Sequence, residues 1–407
     1  MFILAWRILP VSTHAATHPH GMNDAANPFS PPGLLPAGLM DLLPPEAEQE
    51  ASLVEALMEG FGRYGYERVK PPLLEFEEGL LAGSGAAVAE QTFRLMDPVS
   101  QRMMGLRADT TPQVARIAAT RLGLQARPLR LCYSGQVLRV RGSELAPSRQ
   151  LPQAGIELIG GAAPEADAEV ALVAAEALAR VGVTGITLDV TLPRMAHALL
   201  DAAGVSPALA ERLVRALDRK DAAAVAALAD GAGPVAALLP RLLGAAGPAA
   251  PAVEVLRSAD LPESAQAIAE NAAAIIEAIS ARAPGLRVTL DPVEFRGFQY
   301  HVGVAFTIFG PGRTGELARG GRYLSVNDEP ATGMTLYPDA VLRAVPRPVS
   351  RPRCFLPLGT PAAAGAALRD QGFATVAALS AADQAGALRC THLWDGQRAV
   401  PIGKGTG

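Results

Sequence analysis

The sequence predicts an α+β fold: a long, mostly antiparallel sheet flanked by helices, interrupted by a helical insertion and followed by a small α/β tail. Three observations lead there. Strand segments come in hairpin-like pairs with separate helices, rather than in regular strand–helix–strand alternation. From Pro193 to Pro284 the chain is rich in Ala and Leu, with apolar residues at helical spacing such as Ile268, Ala272, Ile275, Ile276 and Ile279. After Pro346 short strands and helices alternate again.

The elements follow in order. Residues 1–28 open with Phe2–Val11, a short apolar run broken by Arg7 with no basic segment ahead of it, a poor secretory signal. We read 1–28 as a disordered extension or a mis-called start, with Met22 as the true start. Residues 29–192 and 285–345 are expected to form the main core. A Pro/Gly lead-in precedes a helix over 46–64, where Leu53, Val54, Leu57, Met58 and Phe61 recur at helical spacing. A short strand should end at Pro71-Pro72. A hairpin should pair 92–96 with 102–107 around Asp97-Pro98. A helix over 111–122, strands over 129–141 and 150–160, a helix over 165–181 and a strand over 185–192 follow. The helical insertion spans 193–284. Strands then return at 287–291, 298–309 and 316–319. The tail, 346–407, reads as a small α/β domain: strand 354–358, helix 361–371, strand 374–379, helix 381–389, strand 391–394.

Bulk properties narrow the function. The chain has 407 residues, enough for two or three domains, with 49% hydrophobic and 19% charged residues, so it is globular. A net charge of -4 gives no basic footprint for nucleic acid. Cys132, Cys354 and Cys390 lie far apart and form no zinc-type spacing, so free thiols in a reducing cytoplasm are expected. No apolar run is long enough to span a membrane.

The most informative stretch is "SRQLPQAGIELIGG", Ser148 to Gly161. On a strand, Gln153, Gly155 and Glu157 fall on one face and Ala154, Ile156 and Leu158 on the other. An amide and a carboxylate thus share a face whose reverse is apolar. In "EFRGFQYHVGVAF", Arg296 stands at a strand mouth, where a solvated charge is the ordinary role; Gln299 and His301 share one face and Tyr300 lies on the other. "ELARGGRY" places Gly320-Gly321 either in an ordinary turn or where backbone closely approaches a ligand. In "GLRADTTPQVAR", Asp109, Thr110 and Thr111 sit at a strand-to-helix junction, suited to capping and compatible with a ligand role. Together Asp109, Gln153, Glu157 and Arg296 offer carboxylates for an ammonium or imidazolium, an amide, and a cation for a carboxylate.

"GLRADTTPQVARIA", "VLRVRGSELAPSRQLPQAGIELIG", "EFRGFQYHVGVAF" and "ELARGGRY" resemble, in that order, the catalytic core of the histidyl-tRNA synthetases over roughly residues 30–345. The resemblance implies the class II aminoacyl-tRNA synthetase fold, an antiparallel sheet flanked by helices. It implies a histidine pocket at Asp109, Gln153, Glu157, Arg296, Tyr300 and His301, lined by Arg139, Gly297, Gly320 and Gly321. Two departures stand out there: Asp109 for the family's usual Glu, and His301 for a second Tyr. The ATP side departs further. Arg139 matches the arginine of the second class II motif, but Arg141 replaces its Glu. In "ATGMTLYPDAVLRAV" the phosphate-clamping arginine is Ala340, Tyr337 replaces a glycine, Pro338 follows, and Arg343 lies a helical turn away. A missing clamp removes transition-state charge stabilisation. The tail is shorter than an anticodon-binding domain and not obviously basic.

A chain that keeps the histidine site and departs at the ATP and tRNA sites resembles the synthetase-like regulatory subunits of ATP phosphoribosyltransferase. That resemblance implies a non-catalytic, cytoplasmic subunit without cofactor or metal. It implies histidine as effector in feedback on the first step of histidine biosynthesis, and support of the activity of a short catalytic subunit, a glycosyltransferase. A homodimer, formed through the first helix and the Pro71-Pro72 strand, is expected within a hetero-oligomer. Neither a membrane nor tRNA is expected as a partner. The alternatives are an active histidyl-tRNA synthetase and another ATP-using synthetase paralogue; Ala340 counts against both.

Overall fold

The computed structural model describes residues 34–142, 147–294, 301–312, 315–345 and 351–402. The reading of 1–28, and the site residues Arg296, Gly297 and Tyr300, lie outside the described residues.

Helix α1 (Glu46–Gly62) buries Leu53, Leu57, Met58 and Phe61, the stripe its spacing predicts. Strand β1 (Glu67–Arg68) joins the main sheet, while β2 (Leu74–Phe76), β3 (Arg94–Met96) and β4 (Met103–Leu106) make a small sheet of their own in the order β2-β4-β3. The one-turn α2 (Glu77–Leu80) follows β2. Helix α3 (Thr111–Thr120) leads into the hairpin β5 (Leu129–Leu138) and β6 (Gln150–Ile159), paired antiparallel from Leu129 opposite Ile159 to Leu138 opposite Gln150. Helix α4 (Pro164–Arg180) and β7 (Thr187–Thr191) complete the first half.

Between β7 and β9 (Arg287–Asp291) run α5 (Met195–Ala202), α6 (Pro207–Asp218), α7 (Ala222–Ala229), α8 (Leu238–Leu243), the two-residue β8 (Gly247–Pro248), α9 (Ala249–Arg257) and α10 (Glu263–Arg282). Their apolar faces, with Leu199, Leu213, Val225 and Leu239, join the same continuous core as the main sheet. Strands β10 (His301–Phe309), β11 (Glu316–Leu324) and β12 (Pro330–Leu336) then return, followed by α11 (Pro338–Ala344). The main sheet runs β1-β5-β6-β12-β11-β10-β7-β9-β8; its six central strands are antiparallel, and β1 joins β5 and β9 joins β7 in parallel.

The sheet has two distinct faces. One carries Ala154, Ile156, Leu158, Leu188, Val190, Phe306, Ile308, Met334 and Leu336 and packs with the buried stripes of α1, α4 and α10 in the main core. The other meets α3 at one end, where Val114 and Ala118 pack with Leu131, Tyr133 and Ile159. Helix α4 is stapled to the sheet by a buried pair. Arg322 Nε and Nη2 donate to Asp167 at 3.0 and 2.6 Å, and Thr332 Oγ1 donates to the same carboxylate at 2.6 Å. The spare guanidinium protons go to the carbonyls of Gly161 and Ala163.

Two expectations are corrected. "GGRY" is not a turn: β11 runs straight through it, because Gly320 lies against the β12 backbone and Gly321 against β10, where a Cβ would collide. In the tail, β13 (Arg353–Leu356), α12 (Ala362–Asp370), β14 (Ala374–Ala377) and β15 (His392–Trp394) form, but no helix forms over 381–389. Asp383 instead accepts from the amides of Leu379 and Ser380 at 2.6 and 3.0 Å, holding a turn that competes with helix. A further strand, β16 (Ala399–Pro401), pairs with β15. The three cysteines are free and buried, and no described helix is long and apolar enough to cross a membrane.

The staple makes a stability prediction. Asp167 is fully enclosed, so Asp167→Ala strands the Arg322 guanidinium among carbonyls. A loss of about 3–5 kcal/mol is expected, read as a lowered urea midpoint. A midpoint within about 1 kcal/mol of the parent, the usual worth of an exposed pair, would refute the staple.

Candidate functional site

The polar face of β6 is buried, not wet. Glu157 has no solvent exposure, and Gln153 and Asp109 are almost as enclosed. Glu157 Oε1 accepts from Thr111 Oγ1 at 2.9 Å and Oε2 from Tyr323 OH at 2.9 Å. The carboxylate fits because Gly333 lies opposite it on β12, where any Cβ would overlap its oxygens. Tyr133 lies over Gly155, whose missing side chain makes room for the ring, and its hydroxyl is 2.7 Å from Thr335 Oγ1 and 3.3 Å from Thr111 Oγ1.

A second cluster sits at the α3 N-terminus. Gln153 Nε2 donates to Asp109 Oδ1 at 3.1 Å, while Gln153 Oε1 accepts from Thr110 Oγ1 at 2.9 Å and from the Thr110 amide at 3.1 Å. The capping expectation is corrected here. Thr110 is the N-cap residue and makes no side-chain cap. Among the described residues Asp109 accepts from the adjacent Thr110 amide and from Gln153. The fold uses Asp109 and Gln153 as a pair across the α3–β6 junction.

The electrostatics of Glu157 are unusual. Removal from water raises its carboxyl to about 8; the Thr111 and Tyr323 hydroxyls pull it down and the Asp109 charge pushes it up. Neither of its oxygens has a cation partner among the described residues. The site therefore holds a carboxyl that is largely protonated at neutral pH, ready to meet a cation or a proton acceptor.

The other predicted residues are distributed as follows. His301 begins β10 opposite Tyr323 and is buried; burial, then the Arg319 charge, lowers its imidazole to about 3, so it is neutral. Arg139 lies just beyond β5, half-buried, with Nε directed at the Ala108 carbonyl at 3.4 Å. Gly320 and Gly321 serve strand packing. Thr110 and Thr111 were legible as junction residues, whereas Tyr133, Tyr323, Thr335 and Gly333 were missed. They come from three strands, β5, β11 and β12, and no local spacing ties them to Glu157.

On the side where class II chemistry would place ATP, Ala340 is buried in the core through α11. Arg343 is exposed and pairs with Asp339 at 3.3 Å, and Arg141 is exposed. Tyr337 is packed beside Glu316, Arg319 and Arg139, and burial raises its phenol well above the usual range. No cluster of described His, Cys, Asp or Glu has a metal-binding arrangement.

Comparison with known proteins places this geometry. Residues 38–341 match the family model described as histidyl-tRNA synthetase. The chain is 56% identical over 382 residues to an ATP phosphoribosyltransferase regulatory subunit of Rhodospirillum centenum, covering 92% of this chain and 98% of that one. It is 55% identical to the Paramagnetospirillum magneticum protein of the same name, over 86% and 91% of the two chains. Among solved structures, one described as an ATP phosphoribosyltransferase regulatory subunit/histidyl-tRNA synthetase from Bacillus halodurans superposes with a TM-score of 0.76 at 24% identity, covering 89% and 97% of the chains. An ATP phosphoribosyl transferase (HisG:HisZ) complex from Thermotoga maritima contains a chain matching with a TM-score of 0.57 at 18% identity, over 71% of this chain and 97% of that one. The fold is that of class II synthetases, as the sequence predicts.

The Glu157 carboxyl predicts a pH dependence. The folded state keeps a proton that the unfolded chain releases above its ordinary carboxyl range, so this stabilising contribution is full below about pH 4.5 and lost as pH rises through about 8. In thermal melts without ligand, the parent should lose stability relative to Glu157→Gln across that window, by a few kcal/mol. Parallel curves for the two proteins would show that the carboxyl is not perturbed.

Proposed function

This chain belongs to the family of ATP phosphoribosyltransferase regulatory subunits, and we propose that it is a non-catalytic subunit that binds free histidine and relays its level to a short catalytic partner. The observation that carries the reading is Glu157: a fully enclosed carboxyl, fixed by two hydroxyls and raised to about 8, with no cation partner among the described residues. A buried carboxyl of this kind accommodates a ligand cation far better than a neutral one.

In the proposed complex the imidazole meets Glu157, and Asp109 with Gln153 takes the ammonium. Arg296, Gly297 and Tyr300 contribute as the synthetase resemblance implies. His301 lines the pocket beside Tyr323, and Arg139, Gly320 and Gly321 border it. The partner assignment rests on the regulatory-subunit relatives and on the Thermotoga maritima assembly. The chain is proposed to dimerise through α1 and the Pro71-Pro72 segment within the larger complex. Feedback then requires that histidine bind the inhibited assembly more tightly than the active one. Ala340, buried in the core, supports the absence of a phosphate clamp and of adenylation.

Binding should have a pH optimum. A free imidazole titrates near ~6.5 and Glu157 near 8. One proton shared between imidazole and carboxyl is the matched state. Below this interval the two groups hold a proton too many, and above it one too few. Calorimetric titration should therefore give the tightest histidine binding between roughly pH 6.5 and 8, with proton release on the acid side and uptake on the alkaline side. Glu157→Ala should weaken binding by about 10- to 100-fold, the worth of a charged hydrogen bond, and should relieve histidine inhibition of the reconstituted enzyme. ATP binding together with histidine, followed by adenylate formation, would refute the non-catalytic reading. No histidine binding by the chain or its complex with a catalytic subunit would refute the sensor.

A further inference from the structure

We propose that Arg319 is a ligand-binding and specificity residue of the same pocket, supplying a cation for the carboxylate of a bound amino acid. The inference rests on the histidine-binding reading and extends it to a residue that the motif comparison left out.

The sheet register carries the placement. Tyr133, Gly155, Thr335 and Arg319 stand directly opposite one another on β5, β6, β12 and β11, so they occupy one face. Glu157 and Gly333 occupy the next row on that same face. Glu157 and Arg319 are therefore two strand spacings apart, roughly 9–10 Å, and two residues apart along the strands, roughly 7 Å. No ion pair joins the two side chains among the described residues.

Arg319 is also under-satisfied. One Nη pairs with Glu316, but Nε is buried with no acceptor among the described residues. A buried guanidinium nitrogen without an acceptor calls for a partner. Its row neighbours do not supply one. Thr335 is engaged with Tyr133, and Asp189, one strand beyond the opposing Thr307, accepts from Thr289 at 2.5 Å. His301 is neutral and Arg139 is a second cation on this side. Along the strands Glu157 stands on one side of the Arg319 row, and Gln153 with its partner Asp109 on the other. An amino acid laid across these rows puts its imidazole at Glu157 and its α-ammonium and carboxylate at Asp109 and Arg319.

The test compares histidine with histidinol, which keeps the imidazole and ammonium but has an alcohol in place of the carboxylate. Calorimetry on the full chain, parent and Arg319→Met, gives four affinities. The expected result is that the parent prefers histidine and that Arg319→Met loses about 10- to 100-fold in histidine affinity while histidinol affinity changes less than threefold. Arg319→Lys should restore part of the preference. A histidine preference kept in Arg319→Met would overturn the assignment while leaving the histidine reading intact. Equal losses for both ligands would also overturn it, since they mark a structural role. Binding of neither ligand by the parent would overturn the histidine reading and this inference with it.

Discussion

The site depends on one constraint: the Glu157 carboxyl must sit fully buried in the sheet, with two hydroxyls as its hydrogen-bond donors among the described residues. Each surrounding feature serves that placement. Gly333 removes the Cβ that would fill the same space. Thr111 reaches the carboxyl because α3 begins at that residue. Tyr323 reaches it because β11 presents residues 322 and 323 to opposite faces. Arg322 is locked to Asp167 on the core side, and that lock fixes the strand from which Tyr323 donates. A packing interaction on one face thereby sets a hydrogen bond of the candidate site on the other.

Within the proposed function, the layout of the sheet bears on how a synthetase-type fold can carry one ligand site without its neighbour. Gln153 and Glu157 sit on the central strand β6, and changing them would disturb the sheet itself. The ATP-side positions sit at its margin: Arg141 is exposed beyond β5, and Ala340 lies on the short helix α11. Replacing a long cation by Ala on such a helix costs the fold little and lets α11 pack into the core.

Much of the fold and part of the site were legible in the sequence, for physical reasons. The β5–β6 hairpin was readable because residues 153–158 of β6 alternate and the connecting segment carries polar residues. The same alternation placed Gln153 and Glu157 together. What it could not show were their partners. Thr111 lies 46 residues from Glu157 and Tyr323 lies 166, and only tertiary pairing brings them together. "GGRY" fitted either a turn or a close backbone approach to a ligand, because glycine serves both; here it answers close strand approach. The segment 381–389 looked helical from its alanines, and Asp383 diverted the backbone by binding the amides ahead of it. Local composition fails where a side chain competes with the backbone or where a distant strand sets the space.

A carboxyl raised to about 8 is a poor structural element and a suitable sensing element. A permanently ionised Glu157 would demand a resident counter-ion, and an engaged counter-ion would leave no site for an effector. A permanently neutral residue such as Gln would offer hydrogen bonds without charge, and would not distinguish an imidazolium from any other donor of similar shape. Within the proposed function, a group balanced between the two states lets the ligand decide: an arriving imidazole would take the proton, and charge would form on both partners only when they meet. The free energy of that transfer is released only in the bound state. A regulatory subunit needs energy of this kind, because a ligand shifts an assembly only by the difference in its affinity for the two states. Within the proposed function, any movement of Thr111 or Tyr323 between those states would change the hydrogen bonds that stabilise the ionised carboxylate, and so change histidine affinity without altering the pocket's shape.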